Sequence, residues 1–263
     1  MTDNVLIFSI GLVGYDELFN SCISTQRSYS RRCGYEYVLV DRAPRSLSPA
    51  EAAWLKIVLM RSALRSGYRW VAFVDADCEI RPHAPCFTEE FQTFGDHKSI
   101  FMAHGFSGRI NSGVIFLRNN EDSIRFLDNV LNSANEEVPP EDQAPYENGH
   151  MIMCGKNCRA VEIIDYMWNN NRALDENSYI QHYSGGILRG WYLEQRASEP
   201  RGKRSPHKER SVILLLLGKL RRKLSRVGPK PESTQSPPIQ ASMEQLVPFY
   251  QSHYPAFAGA TDE

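Results

Sequence analysis

With 263 residues, 42% hydrophobic and 23% charged, the chain is long enough to bury a full core and has an ordinary water-soluble composition. The net charge of −1 conceals a split, with 19 basic against 26 acidic residues through position 200 and 11 against 5 beyond it. An acidic body with a basic tail excludes a nucleic-acid-binding surface spread over the fold, and fits a metal-using enzyme held near something anionic.

In chain order, an apolar strand over 5–10 precedes a helix over 15–31 that Gly34 stops, and a second strand over 36–40. Ser48 as N-cap, Pro49 at the first helical position and Glu51 closing a capping box then start a helix that runs to Gly67. Its Trp54, Leu55, Val58 and Leu59 recur at the spacing of a core-facing stripe. The next strand, 70–74, ends in Asp75-Ala76-Asp77. Two carboxylates at a strand's fraying end can turn towards one cation, and the carboxyl ends of strands in open α/β sheets are where ligands bind. Taken alone, the tripeptide more often marks a solvated corner.

Short strands over 99–103 and 114–117 flank a loop, 104–113, and a helix follows over 120–132. The acidic, proline-containing stretch 135–149 reads as a loop entering a helix near 141–147. After a strand over 161–164, the polar, aromatic and glycine-bearing stretch 169–186 has the character of a site rim. Alternating strands and helices predict an α/β fold with parallel pairing.

The composition shifts near residue 200. Over 201–227 an apolar run adjoins Lys219, Arg221, Arg222, Lys223 and Arg226. Such a segment would lie in the headgroup plane of an anionic membrane, or pack as an amphipathic helix on protein. Residues 228–263 read as a flexible proline-rich linker and tail, which leaves 1–200 as the catalytic domain. No signal peptide or anchor is read before the first strand, and no run reaches the roughly 20 apolar residues a span requires. The six cysteines are too sparse for a disulfide scaffold, so reduced thiols in a cytoplasm are expected. Cys154 and Cys158, without a second matched pair, read as a plain loop ahead of half a zinc site.

Four segments in order resemble the galactosyl/xylosyltransferases of glycosyltransferase family 34. They are Cys33-Gly34-Tyr35-Glu36-Tyr37; Trp54-Leu55-Lys56 followed by Asp75-Ala76-Asp77; Asn111-Ser112-Gly113 running into Arg118-Asn119; and Glu141-Asp142-Gln143 with the later His182-Tyr183-Ser184-Gly185. The resemblance covers roughly residues 1–190, with Ser112 where that family usually has Thr and Glu141 leading its acidic pair. It implies a GT-A, Rossmann-like nucleotide-diphospho-sugar transferase fold, with a single mixed, mostly parallel sheet flanked by helices, to which the composition beyond residue 200 adds a basic C-terminal helical extension.

The same resemblance implies a site. Asp75, Asp77 and His182 would bind Mn²⁺ or Mg²⁺, with Asp75 reaching either the metal or the ribose. Asn111, Ser112, Gly113 and Gly185 would contact the sugar-nucleotide donor, UDP-linked by resemblance; Lys56, costly on a packed helix face unless paired, would meet the nucleotide or Asp75, or else snorkel to the surface. Asp142 would bind sugar or acceptor hydroxyls and Gln143 would stabilise the cation-like anomeric centre. Transfer to a glycan or glycolipid hydroxyl with retention would follow, by attack on the leaving face or by double displacement through Asp142. On the residues themselves, Asn-Ser-Gly is also ordinary turn chemistry and 141–143 an ordinary acidic helix start. An Asp-x-Asp phosphohydrolase and a non-catalytic sugar-nucleotide or membrane-interacting protein are the other readings.

Overall fold

The computed structural model describes residues 4–198 and 239–259. Parallel strands β1 (Val5–Ile10), β2 (Glu36–Val40) and β3 (Trp70–Val74) are joined through α1 (Tyr15–Leu18), α2 (Asn20–Cys33) and α3 (Pro49–Arg65). There follow β4 (Cys78–Ile80), α4 (Phe87–Phe91), β5 (Ile100–Ala103), β6 (Val114–Arg118), α5 (Glu121–Asn132), α6 (Asn148–Gly155), β7 (Val161–Ile164), β8 (Ile180–His182) and α7 (Gly186–Ser198). Six strands make one mixed, mostly parallel sheet in the order β2-β1-β3-β6-β5-β7, with β6 antiparallel to both its neighbours. β4 and β8 pair as a separate antiparallel ribbon.

β3 lies at the centre and is buried along its whole length, which its unbroken apolar run requires of a strand covered on both faces. On one face Phe8 and Phe73 pack with α3 and α5; on the other Phe87, Phe91, Phe101, Phe116 and Trp168 form an aromatic cluster. The expected capping box starts α3: Ser48 Oγ accepts from Glu51 N at 3.2 Å, and Ser48 N donates to Glu51 Oε2 at 2.8 Å. Gly34, at φ 72°, ends α2 in the left-handed region that glycine adopts without strain.

Several expectations are corrected. The single helix over 15–31 is two, because Phe19 leaves helical geometry while its buried ring stacks on Tyr192. No helix forms over 141–147. A 3₁₀ turn, Pro140–Asp142, stands there, and α6 begins only at Asn148. Pro145 cannot donate into a helix and disfavours helical backbone before it, and Tyr146 sits at φ 56°. Within 169–186, β8 and Tyr183 are buried, so that stretch is part core as well as rim.

The tail also differs. α8 (Ile239–Glu244) and α9 (Val247–His253) pack on α3, with Met243, Tyr250 and Phe257 wholly buried and the Phe257 ring 5.3 Å from that of Phe8. Arg61 donates to Asp128 at 2.9 Å and to Glu244 at 2.6 Å, tying this segment to α5. Residues 239–259 are therefore folded, because burying those side chains offsets the ordering of a short segment. The basic segment 201–227 lies outside the described residues. Cys33 and Cys86 form a disulfide between the end of α2 and the start of α4, contrary to the expectation of reduced thiols throughout; Cys22, Cys78, Cys154 and Cys158 are free. Among the described residues no helix is long and apolar enough to cross a membrane.

Candidate active site

The site is assembled where β3 ends. Asp75 N donates to Gly113 O at 2.8 Å, extending the β3–β6 pairing by one residue, and Cys78 N donates to Asp75 O at 3.0 Å, closing a turn around Ala76 and Asp77. Gln26 of α2 clamps that turn from beneath. Its Nε2 donates to Asp75 O (2.9 Å) and Cys78 O (2.8 Å), and its Oε1 accepts from Ser9 Oγ (2.6 Å) and Tyr37 OH (2.9 Å). A wholly buried amide with four partners is fully satisfied, so the turn is held by a rigid group.

The small ribbon supplies the histidine. Cys78 stands opposite His182 across β4 and β8, and Tyr183 N donates to Asp77 O at 3.0 Å. His182 Nε2 consequently lies 3.3 Å from Asp77 Oδ1 and 3.7 Å from Asp75 Oδ2. Gly113 completes this wall. A Cβ there would sit 2.2 Å from His182 Cε1 and 2.9 Å from Asp75 Oδ2, so only glycine fits.

Two cations flank the carboxylates. Lys56 is buried on α3, with Nζ 2.8 Å from Glu147 Oε1 and 3.7 Å from Asp75 Oδ1, and donates to Ser112 O at 3.2 Å. Burial alone would lower its ammonium, but Asp75 and Glu147 outweigh that and hold it above its ordinary range. Glu147 also accepts from Ser112 Oγ at 2.7 Å, and Asn148 Oδ1 accepts from Ser112 N at 2.8 Å. On the other side Arg189 of α7 donates to Asp77 Oδ2 and, at 3.1 Å, to Tyr183 O. Burial works against the Asp77 carboxylate, but His182 and Arg189 keep it well below the usual range. Burial raises Asp75, Asp77 adding to this and Lys56 opposing it.

The donor set fits a divalent ion. The Asp77 carboxylate and the His182 imidazole nitrogen face each other, with Asp75 beside the ring nitrogen, a mix of oxygen and nitrogen donors that suits Mn²⁺, and Mg²⁺ through the oxygens. Among the described residues, Asp77, Cys78 and His182 are the one group of three candidate ligands lying within reach of each other. Burial and both carboxylates push the Cys78 thiol up, and its Sγ donates to Gly113 O at 4.0 Å; Asp75 stands outside that group, with Oδ2 3.7 Å from His182 Nε2.

Of the residues expected from sequence, Lys56, Asp75, Asp77, Ser112, Gly113 and His182 meet here. Asn111 adjoins them with its Oδ1 turned inward, accepting from Gly113 N at 3.0 Å. Gly185 and Gly186, both at φ 58°, turn the chain from β8 into α7. Asp142 and Gln143 have other partners: Asp142 is buried against Lys156, while Gln143 is exposed and its carbonyl accepts from Arg109 at 3.0 Å. Gln26, Glu147, Asn169 and Arg189 were not singled out from sequence. Glu147 lay inside the acidic run, and the signal for Arg189 was a cation four residues after Gly185. Near the carboxyl ends of β1 and β2, a cleft of about 370 Å³ is lined by Leu12, Val13, Asp41, Ala43, Arg45, Ser46 and Leu47.

The fold is that of the GT-A glycosyltransferases. The chain is similar to a glycosyltransferase involved in glycosylating the major capsid of PBCV-1, at 14% identity over 73% of this chain and 98% of that one, with a TM-score of 0.57. Looser overlaps are found with the galactosyltransferase LgtC, crystallised with donor and acceptor sugar analogues (12% identity, 78% and 99% covered, TM-score 0.48), and with mouse xyloside xylosyltransferase 1 (10%, 70% and 98%, 0.45). At these identities the likeness is one of fold. No protein-family model and no curated protein sequence matches the chain.

Proposed function

We propose that this protein is a metal-dependent glycosyltransferase that moves a hexose or pentose from a nucleoside-diphosphate donor, UDP-linked, to a hydroxyl of a glycan or glycolipid. The observation that carries the reading is the meeting of Asp77 and His182 under Gly113 at the end of β3, with Asp75 beside the imidazole, on this fold. Breaking a glycosyl–diphosphate bond requires charge to be neutralised as it grows on the leaving group. Asp77, His182 and Asp75 would hold the ion, which would act as a Lewis acid towards the diphosphate. Lys56 orients Asp75 from beneath, and Arg189 adds fixed positive charge beside Asp77. The cleft beside β1 and β2 takes the nucleoside, the usual ligand position for strands of this direction.

Family 34 chemistry, supported by the four sequence segments, assigns Asn111, Ser112, Gly113 and Gly185 to the donor and Asp142 and Gln143 to the reacting face, with retention. Asp142 is buried and ion-paired to Lys156, which makes it a poor nucleophile and favours acceptor attack from the side the diphosphate leaves. The basic segment 201–227 is assigned to an anionic membrane surface on its composition.

The test is thermal-shift binding of UDP, GDP, CMP and a panel of nucleotide sugars, with and without Mn²⁺, for the wild type and Asp77→Ala. Metal-dependent stabilisation by one diphosphonucleotide, absent in the variant, is the expected result; equal shifts without metal or in the variant would contradict it.

A further inference from the structure

We infer that Asn169 is a positioning residue which, through Asn111, sets the imidazole of His182 so that Nδ1 carries a proton and Nε2 presents its lone pair to the cation. The inference rests on the metal reading above and assigns a role to a residue outside the ligand set. It follows from a chain of amide orientations anchored on a backbone group whose polarity is fixed.

Gly113 N can only donate, and its partner at 3.0 Å is therefore Asn111 Oδ1. The Asn169 atom lying 3.0 Å from both Asn111 Oδ1 and Asn111 O faces two acceptors, so it is the amide nitrogen. The other terminal atom of Asn169 is then Oδ1, an acceptor only, and it stands 2.8 Å from His182 Nδ1. Nδ1 must donate to it. Nε2, on the opposite side of the ring, faces Asp77 Oδ1 and Asp75 Oδ2. A nitrogen aimed at two carboxylates calls for positive charge between them, a place that a proton fills in the metal-free protein and a metal ion fills when bound. Asn169 is 1% exposed and His182 2%, so water does not substitute for either bond. An imidazole ligand whose second nitrogen is held by an acceptor is oriented and made more basic, and loss of such a partner typically costs about 10- to 100-fold in metal affinity.

The experiment pairs ¹⁵N NMR of metal-free, histidine-labelled protein with Mn²⁺ titration followed by the EPR signal of free Mn²⁺. His182→Gln assigns the resonance. In the wild type, His182 Nδ1 should bear a proton. Asn169→Asp keeps an acceptor opposite Nδ1 and should retain that protonation, although its second oxygen meets the two Asn111 acceptors and weakens the amide chain. Asn169→Leu should lose the fixed tautomer and bind Mn²⁺ about 10- to 100-fold more weakly, with thermal unfolding reported alongside to show that it folds. An unprotonated Nδ1 in the wild type would overturn the inference, as would a folded Asn169→Leu that binds Mn²⁺ like wild type. If Asn169→Leu does not fold, a lost Nδ1 proton in Asn169→Asp would overturn it instead. Absence of any Mn²⁺ binding by the wild type would overturn the metal reading itself, and this inference with it.

Discussion

Gly113 and His182 approach so closely that the smallest side chain at 113 would overlap the imidazole, with a Cβ 2.2 Å from Cε1. The backbone of Gly113 is not in the left-handed region, so the restriction is one of space alone. Gly113→Ala must displace His182 or the end of β3. We expect it to destabilise the fold by about 1–3 kcal/mol, the usual range for overpacking, and to abolish Mn²⁺-dependent donor binding in the fraction that remains folded. Calorimetry and donor titration on one preparation would separate the two; a variant that binds donor and metal normally would show that the contact does not constrain the site.

Lys56 and Glu147 are a buried ion pair with 2.8 Å between them. Removing one partner strands a charge, at a cost of about 3–5 kcal/mol, whereas replacing both with apolar groups is often near neutral. Lys56→Met should therefore destabilise strongly in urea unfolding. Lys56→Met with Glu147→Leu should regain most of the stability but not donor binding, since Asp75 and Ser112 lose their shared partners. A double variant as unstable as the single would contradict the pair's role.

Phe257 is wholly buried against Phe8, so Phe257→Ala should cost about 3–5 kcal/mol, as large aromatic truncations in cores do. Ending the chain at 238 should be at least as damaging. Chemical denaturation settles the point, and a truncated protein of unchanged midpoint would restore the reading of a flexible tail.

Glu51 closes the capping box of α3 and pairs with Arg45 at 2.5 Å. Arg45's hydrogen bond, together with those of Ser48, lowers its carboxyl to about 2. A carboxyl lowered on folding contributes stability above its unfolded pKa and loses it as pH falls through the folded one. Glu51→Gln should thus destabilise by about 1 kcal/mol at pH 7, and the difference from wild type should shrink as pH drops from about 4.5 towards 2. A difference independent of pH would show that the charge is irrelevant.

Much of this was legible in sequence because local chemistry and tertiary structure agree. β1, β2, β3 and β7 fall where apolar runs place them, and Ser48, Pro49 and Glu51 start α3 as their capping chemistry demands. Asp75 and Asp77 stood out because a buried strand ends on them. The β4–β8 ribbon was hidden, since three-residue strands a hundred positions apart leave no periodicity to read. Glu147 looked like one more exposed acid in a polar run, but Lys56 and Ser112 draw it inside. Composition misled in the tail, where Pro and Ser before position 239 masked Met243, Leu246, Tyr250 and Phe257, which bury singly and without a long amphipathic stripe.

The central claim is tested most directly by following what the purified protein releases from a UDP-sugar in Mn²⁺, then after EDTA and after Mn²⁺ is restored, in wild type, Asp77→Asn and His182→Gln. Release of UDP that stops with EDTA, returns with Mn²⁺ and is missing from both variants is the expected result. Release of inorganic phosphate, or UDP release indifferent to metal and to Asp77, would contradict it.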